Sequence, residues 1–430
     1  MNNRQAKIRE HLLGDYDIPI RDPLWGHIYL SAGMKKLVET AEFQQLARIK
    51  QLGPSYLVYP GATHTRLNHS LGVFHTAYRM ILSFLRDDGD PGLSLEGVKA
   101  FLVAALLHDL GHFPYTHSLK ELPLKEHEEL TASYILNGDL RRIIREEIGT
   151  LPELCAAIVD EGIPNQSREI SFFRKLLSGP IDPDKLDYLN RDAYFCGVPY
   201  GSQDVDYILS VLHPDPDHGV VIEANGVAAI ESLLFSKYLM YRAVYWHNTV
   251  RIATGMIKSS LHRALAADVI IPDDLYGLDD DSFYTRFGSR EEPCFTNIRR
   301  VYNRELHKTI LSVPFDEHHP LHQSMQDLDQ RAIREEFIRA ELSDLVGVPI
   351  GEHQMLLDIP ERISFEARLM VRDGQRIQSY TAMKSVFTPE VVHQFVGNLR
   401  NIRLAVAPEI HRLMEERHVE PRHIKNLGGL

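Results

Sequence analysis

The sequence predicts a mainly α-helical protein with short β hairpins and a smaller α+β region towards its C-terminal end. Three observations predict it. Apolar residues recur at helical spacing through the first 265 positions, as in Leu37, Val38, Phe43, Leu46 and Ile49. Phe101–His117, FLVAALLHDLGHFPYTH, starts as an apolar helical run and ends in polar, irregular chain. Past residue 310 the pattern changes. Phe365, Ala367, Leu369 and Val371 alternate with polar residues before Arg372-Asp373-Gly374-Gln375, a hairpin signal.

The elements follow in order. Residues 1–20 are polar and are expected to form an N-terminal arm. Arg21–Leu30 alternates, with Pro and Gly inside, and suits a short extended segment or hairpin. Met34–Gln51 is a helix that stops at Gly53-Pro54. Tyr56–Thr65 is a strand-like run and then a Pro-Gly turn. Helices are then expected over Leu71–Arg86, Leu95–Leu110, Glu126–Asn137, Leu140–Glu147, Pro152–Asp160 and Ser167–Leu177, with a polar loop at 87–94. Pro183 opens a further helix. Val220–Glu223 is a short strand, and Val227–Leu265 is one long helix or two. The chain then divides at 312/313, giving a core over 21–312 and an accessory α+β region over 313–430. There, Ala332–Leu345 is helical, and Thr388-Pro389-Glu390 supplies the cap and first turn of a last helix reaching His418.

Composition limits the function. Of 430 residues, 44% are hydrophobic and 25% charged, which suits a soluble globular chain. No apolar run approaches the roughly 18–20 residues of a membrane span, so no membrane partner is expected. The N-terminus lacks a signal-peptide core, which gives a cytoplasmic expectation. Three widely spaced cysteines argue against a disulfide framework and against a thiolate zinc site. A net charge of −12 makes nucleic acid an unfavourable partner, so an anionic substrate would need a local basic pocket. There are 22 histidines, the commonest metal ligands and acid/base groups near neutral pH.

A single His-Asp pair, such as His108-Asp109, is what composition supplies by chance. Its meaning depends on its company. A hydrated divalent cation that meets a phosphate needs a few His and carboxylate ligands with positions left open. His69, His108, Asp109 and Asp184 supply four such groups at wide intervals. Adjacent ligands on a helix diverge by about 100°, so His108 and Asp109 can share a metal only near an irregular helix end. Gly111 and Pro114 place one there.

Several further blocks accompany these residues: Lys50-Gln51-Leu52-Gly53, Tyr59-Pro60-Gly61-Ala62-Thr63-His64-Thr65-Arg66, Asn68-His69-Ser70-Leu71-Gly72-Val73, Leu106–His117, Asp184-Lys185-Leu186-Asp187-Tyr188 with Arg191-Asp192, and Tyr245 with His247. Together they resemble the HD-domain metal phosphohydrolases, in their deoxynucleoside triphosphate triphosphohydrolase branch, over roughly residues 18–265. The resemblance implies an HD-domain helical bundle and a divalent metal (Mn, Fe, Zn or Mg) on His69, His108, Asp109 and Asp184. It implies Arg66 and Lys185 on the triphosphate, with Tyr188 lining the phosphate and sugar. Gln51, Leu52, Asp192 and Tyr245 would surround the deoxyribose. Lys237 stands where relatives carry an Arg on the phosphates; it keeps the charge but loses the bidentate fork. His112, His117 and His127 would serve catalysis, His117 protonating the departing 5′-oxygen. The implied reaction is attack of metal-bound hydroxide on the α-phosphorus of a dNTP, releasing deoxynucleoside and inorganic triphosphate. The alternatives are a phosphohydrolase or phosphodiesterase acting on another nucleotide or nucleic-acid end, and a non-enzymatic nucleotide sensor or scaffold. A homo-oligomer is expected from the family. Ala47 and Glu39 stand where nucleotide-activated relatives carry Arg and Asp, which argues against a nucleotide activator.

Overall fold

The computed structural model describes residues 3–86, 92–215, 217–363, 369–383 and 385–427. The polar opening stretch folds as α1 (Asn3–Gly14), because Ile8 and Leu12 fall four apart on one face and bury completely in the main core. Residues 1–20 are therefore a docked helix and the start of a strand rather than a free arm. β1 (Ile18–Asp22) and β2 (Gly26–Leu30) form the expected antiparallel hairpin. The Met34–Gln51 helix is broken into α2 (Ala32–Val38) and α3 (Ala41–Gln45), because the Thr40 hydroxyl caps a new helix, accepting from Phe43 N at 3.4 Å. Tyr56–Thr65 is not a strand. A 3₁₀ turn over Gly53–Leu57, opened by Pro54, takes up its start, and the rest is loop.

α4 (Arg66–Phe84) begins where the Asn68 carboxamide oxygen accepts from Thr65 N at 3.0 Å. Ser94 caps α5 (Leu95–Leu107), accepting from Gly97 N at 2.9 Å. A helix apolar on every face must lie inside the protein, and Phe101 to Leu107 are all fully buried. Around α5 stand α1, α4 and, further along the chain, α8 (Pro152–Val159) and α9 (Arg168–Leu177), reached through α6 (His127–Ile135) and α7 (Gly138–Ile143). Phe101 stacks on Phe173 of α9 at 4.9 Å between centroids. α10 (Pro183–Cys196) runs against α4; Pro183 sits in its first turn and the Asp182 carboxylate caps it.

α11 (Val205–Ser210) leads into β3 (Leu212–Asp215) and β4 (Gly219–Glu223). Val227–Leu265 is two helices, α12 (Val227–Met240) and α13 (Asn248–Ala266), joined by a wide π turn at Tyr241–Tyr245. A second core forms around α13 with α14 (Asp280–Phe283) and α15 (Thr296–Tyr302), drawing in Phe113, Leu119, Ile257, Leu261, Phe283 and Phe295.

The boundary expected at 312/313 falls inside β5 (Lys308–Pro314), so it does not separate two units of chain cleanly. α16 (Pro320–Ser324), α17 (Leu328–Val346), β6 (Met355–Asp358), β7 (Met370–Asp373), β8 (Arg376–Ser379), α18 (Pro389–Leu399), β9 (Asn401–Val406) and α19 (Pro408–Glu416) complete the chain. β7 and β8 form the expected hairpin; Phe365 and Ala367 lie outside the described residues. That hairpin extends β3–β4 into a four-stranded sheet in which β4 and β7 run parallel. The helix expected to reach His418 stops at Leu399. Asn401–Val406 is a strand instead, paired on both sides in the sheet β5–β9–β6, and Ile402, Leu404 and Val406 are buried in a third core with α17 and α19.

Candidate active site

The site gathers where three helix ends meet. His69 lies in the first turns of α4. His108 is the residue that ends α5, and Asp109 follows it into irregular chain. Gly111 N donates to the Thr131 hydroxyl of α6 at 2.8 Å, and that hydroxyl donates to the His108 carbonyl at 3.0 Å. Gly111 is required there, because a Cβ would strike the His127 carbonyl. The end of α5 is thereby held against α6, and the adjacent side chains of His108 and Asp109 converge instead of diverging.

One donor atom from each of His69, His108 and Asp109 lies within 4.8 Å of the others. His108 Nδ1 donates to the Ala105 carbonyl at 3.0 Å, which leaves Nε2 with its lone pair. That Nε2 is buried without a hydrogen-bond partner, 3.3 Å from Asp109 Oδ1. His69 Nδ1 sits 2.9 Å from Asp187 Oδ2, which turns its Nε2 inward, 2.9 Å from Asp184 Oδ1. Two imidazole nitrogens and a carboxylate, with a second carboxylate beside them, suit a divalent metal. Burial alone would lower the His69 pKa, but Asp184 and Asp187 outweigh it and push it up to about 10. Burial likewise works against the charge on Asp109, yet His112, His108 and Arg66 hold its carboxyl well below the usual range.

Behind His69 lies a buried chain of charge. Arg191 grips Asp187 through Nε at 2.8 Å and Nη2 at 2.9 Å, and reaches Asp22 through Nη1 at 2.8 Å. Trp25 Nε1 donates to Asp187 Oδ1 at 2.6 Å. Such partners fix the tautomer and orientation of a ligating histidine. Gly72 on α4 admits this pair, since a Cβ there would overlap the Asp187 carboxylate. Sequence reasoning gave Asp187, Arg191, Asp22 and Trp25 no role. The i,i+4 spacing of Asp187 and Arg191 was the available signal; nothing local points to Asp22 or Trp25.

Three more histidines pack beside the cluster. His112 and His127 rings lie 4.0 Å apart, and His112 Nε2 is 3.1 Å from His117 Nε2. Burial and then Arg66 hold His112 well below its ordinary pKa; burial and then His117 bring His127 to about 2. The His117 side chain reaches solvent, yet the packing around its ring and the Arg66 charge hold it below its ordinary value too. Arg66 itself is buried, its Nη1 2.7 Å from Asp109 Oδ2.

Further along α10, Asp192 Oδ2 accepts from the Tyr245 hydroxyl at 2.7 Å and Oδ1 pairs with His64 Nε2 at 2.8 Å. Tyr188 and Tyr245 rings meet edge to face at 6.4 Å. Gln51 donates its backbone N–H to the His64 carbonyl, while its side-chain Oε1 is buried without a hydrogen-bond partner; Leu52 packs on the main core. Lys185 points its ammonium at the Asp182 carboxylate (2.5 Å) and the Gly179 carbonyl (2.9 Å). Lys237 is half-buried on α12. His322 is buried, and its Nδ1 accepts from Asp316 N at 2.9 Å.

Comparison with known proteins places this geometry. The HD domain family matches residues 66–161, which hold Arg66, His69, His108, Asp109, His112, His117 and His127. The HD associated region matches residues 204–388, which hold Lys237 and Tyr245. The uncharacterised protein YwfO of Bacillus subtilis is 37% identical over 246 residues, 57% of this chain and 55% of that one. The deoxynucleoside triphosphate triphosphohydrolase SAMHD1 of Homo sapiens is 28% identical over 279 residues, 57% of this chain and 44% of that one. The chain thus spans about half the length of these curated relatives. A crystal structure of a hypothetical protein from Aquifex aeolicus superposes with a TM-score of 0.67 at 26% identity, covering 93% of this chain and 98% of that one. No helix among the described residues is long and apolar enough to cross a membrane. With both regions matched around a His/Asp cluster of this kind, the chain carries an HD domain followed by an HD associated region, the pairing expected of a divalent-metal-dependent phosphohydrolase.

Proposed function

We propose that the chain hydrolyses deoxynucleoside triphosphates to deoxynucleoside and inorganic triphosphate. The observation that carries this reading is the arrangement along α10. Asp184, Tyr188 and Asp192 recur every four residues and share one side of the helix, with Asp184 at the His/Asp cluster and Asp192 locked to Tyr245. Eight residues of helix span about 12 Å, room for a phosphorus at one end and a sugar at the other. The SAMHD1 relative, a deoxynucleoside triphosphate triphosphohydrolase, supports the same substrate class.

His69, His108, Asp109 and Asp184 would hold the metal, which supplies a Lewis acid for the phosphoryl group. Arg66 adds a fixed guanidinium beside it, suited to phosphate oxygens. Lys185 and Lys237 would contribute charge on the outer phosphates, Lys185 by swinging away from Asp182. The buried Gln51 Oε1 is suited to accept from a 3′-hydroxyl, and Leu52 with Tyr245 would crowd a 2′-hydroxyl. The three neutral histidines gain proton affinity once a polyphosphate lies against them, because anionic charge favours imidazolium. His117, at the open end, would then protonate the leaving 5′-oxygen, with His112 and His127 steadying the charge.

A screen of the four dNTPs with Mn²⁺, Fe²⁺ and Mg²⁺ tests this by product. Inorganic triphosphate is expected; orthophosphate or a nucleoside monophosphate would assign a different phosphohydrolase. Asp184→Ala and His108→Ala should abolish turnover while the circular dichroism spectrum is retained. A metal-loaded protein that turns over none of the four overturns the reading.

A further inference from the structure

His117 sits on a short 3₁₀ turn (Thr116–Leu119) that neither α5 nor α6 contains. What holds that turn comes from elsewhere in the chain. Tyr115, just before it, adopts a left-handed backbone (φ 68°), and its hydroxyl meets that of Tyr284 at 2.5 Å. Leu119 and Leu122 are buried in the core around α13. Glu121, two residues past the turn, accepts from Lys258 of α13 through a short contact and from Arg331 Nη2 of α17 at 2.9 Å. Both cations are buried, at 5% and 4% exposure. Arg331 is fixed in turn, its Nε donating to the Met325 carbonyl at 2.8 Å.

We propose that Glu121, clamped between Lys258 and Arg331, is a positioning residue for His117, so that helix α17 of the C-terminal region forms a working part of the catalytic site. A half-buried carboxylate shared by two buried cations has one favourable place, because moving it strands the cations' charge in a poorly solvated setting. His117 lies four residues from it, on the turn that ends at Leu119, and a 1 Å displacement of a reacting group can cost about a hundredfold in rate. His112 Nε2, 3.1 Å from His117 Nε2, fixes the other side of the same imidazole. Neither Glu121 nor Arg331 needs to touch substrate for this.

The inference deepens the triphosphohydrolase reading and rests on it for its kinetic arm alone. The test uses the full chain with Glu121→Gln, Arg331→Gln, the double variant and the conservative Arg331→Lys. Amide hydrogen exchange of the 112–122 peptide is read alongside kcat and KM for dNTP, and bound metal is measured in every variant. Both glutamine variants are expected to speed exchange in that peptide at least tenfold. They should lower kcat about tenfold with KM within twofold and metal content unchanged. The double variant should be no worse than the poorer single one, since one clamp is lost in each case, and Arg331→Lys should recover most of the rate. Arg300→Gln, which breaks the remote Arg300–Glu409 pair between α15 and α19, should leave the 112–122 peptide unchanged. If the glutamine variants fold but exchange in that peptide matches wild type, the proposal is overturned, whatever the substrate proves to be. If they fail to fold, Arg331→Lys decides: wild-type exchange and rate support the clamp, and a loss of metal in its place overturns it. A wild-type protein without dNTP turnover would sink the substrate reading and leave the exchange result to decide this one.

Discussion

Asp187 meets the candidate ligand His69 and sets how that histidine works. Its Oδ2 accepts from His69 Nδ1, so Nε2 faces the cluster. Loss of such a partner typically weakens metal binding about 10–100-fold. Asp187→Asn is expected to fall in that range when Mn²⁺ affinity is measured by chelator competition, and an unchanged affinity would remove the residue's role. Gly72→Ala should act in the same direction with a lower Tm, because the added methyl meets Asp187 and Arg191 directly. Much of this site could be read in the sequence at the level of single residues. His69, His108 and Asp109 do come together, and Asp184 does lie on His69. The supports behind them could not be read. Trp25 and Asp22 meet Asp187 and Arg191 across 162 and 169 residues, and only folding brings such pairs into register.

At the scale of elements, α5 behaves as its sequence says. It is apolar on all sides and surrounded on all sides, so truncating a side chain there opens a cavity no neighbour can fill. Phe101→Ala, which also removes the stack on Phe173, is expected to cost about 3–5 kcal/mol in urea denaturation. A loss under about 1 kcal/mol would mean that α5 is more loosely packed than its burial indicates. Elsewhere local pattern misled. Tyr56–Thr65 has the residues of a strand, but Pro54, Pro60 and Gly61 bracket it with turns and only a single bridge, Lys50 with Thr65, forms. Asn401–Val406 sits between two helical stretches and reads as their continuation. Its conformation is decided by β5 and β6 pairing on either side, which no window of sequence contains. Thr388 was legible as a cap because capping is settled within four residues.

The whole molecule is tied across its cores by buried charge. Arg251 of α13 meets Asp358 of β6 at 2.6 Å, and Arg403 of β9 approaches the same carboxylate at 3.4 Å. Burial works against the Asp358 charge, but Arg251 and Arg403 outweigh it and hold the carboxyl below its ordinary value. A carboxyl with a depressed folded pKa contributes stability that is complete above its unfolded pKa of about 3.9 and is lost as pH falls through the folded value. Asp358→Asn should therefore cost about 3 kcal/mol at pH 7, since the buried Arg251 loses one of its two carboxylate partners and keeps Glu361 at 3.0 Å. The gap from wild type in urea midpoint should narrow as pH drops below about 4. A gap independent of pH would assign the loss to packing.

The parallel pairing of β4 with β7 bears on how the chain is made. Val221 leaves the ribosome well before Met370, its partner, and at elongation rates of about 5–20 residues per second the wait is on the order of ten seconds. β9 arrives later still, although it is the middle strand between β5 and β6. Until then β4, β5 and β6 present open strand edges to whatever else is nascent, the surface on which chains pair wrongly. The helices around α5 can settle early from local contacts, but the sheets close only once β8 and β9 have been made. Newborn protein should lean on chaperones in proportion to that interval, and a stop codon ahead of Asn401 should yield aggregate rather than a smaller enzyme.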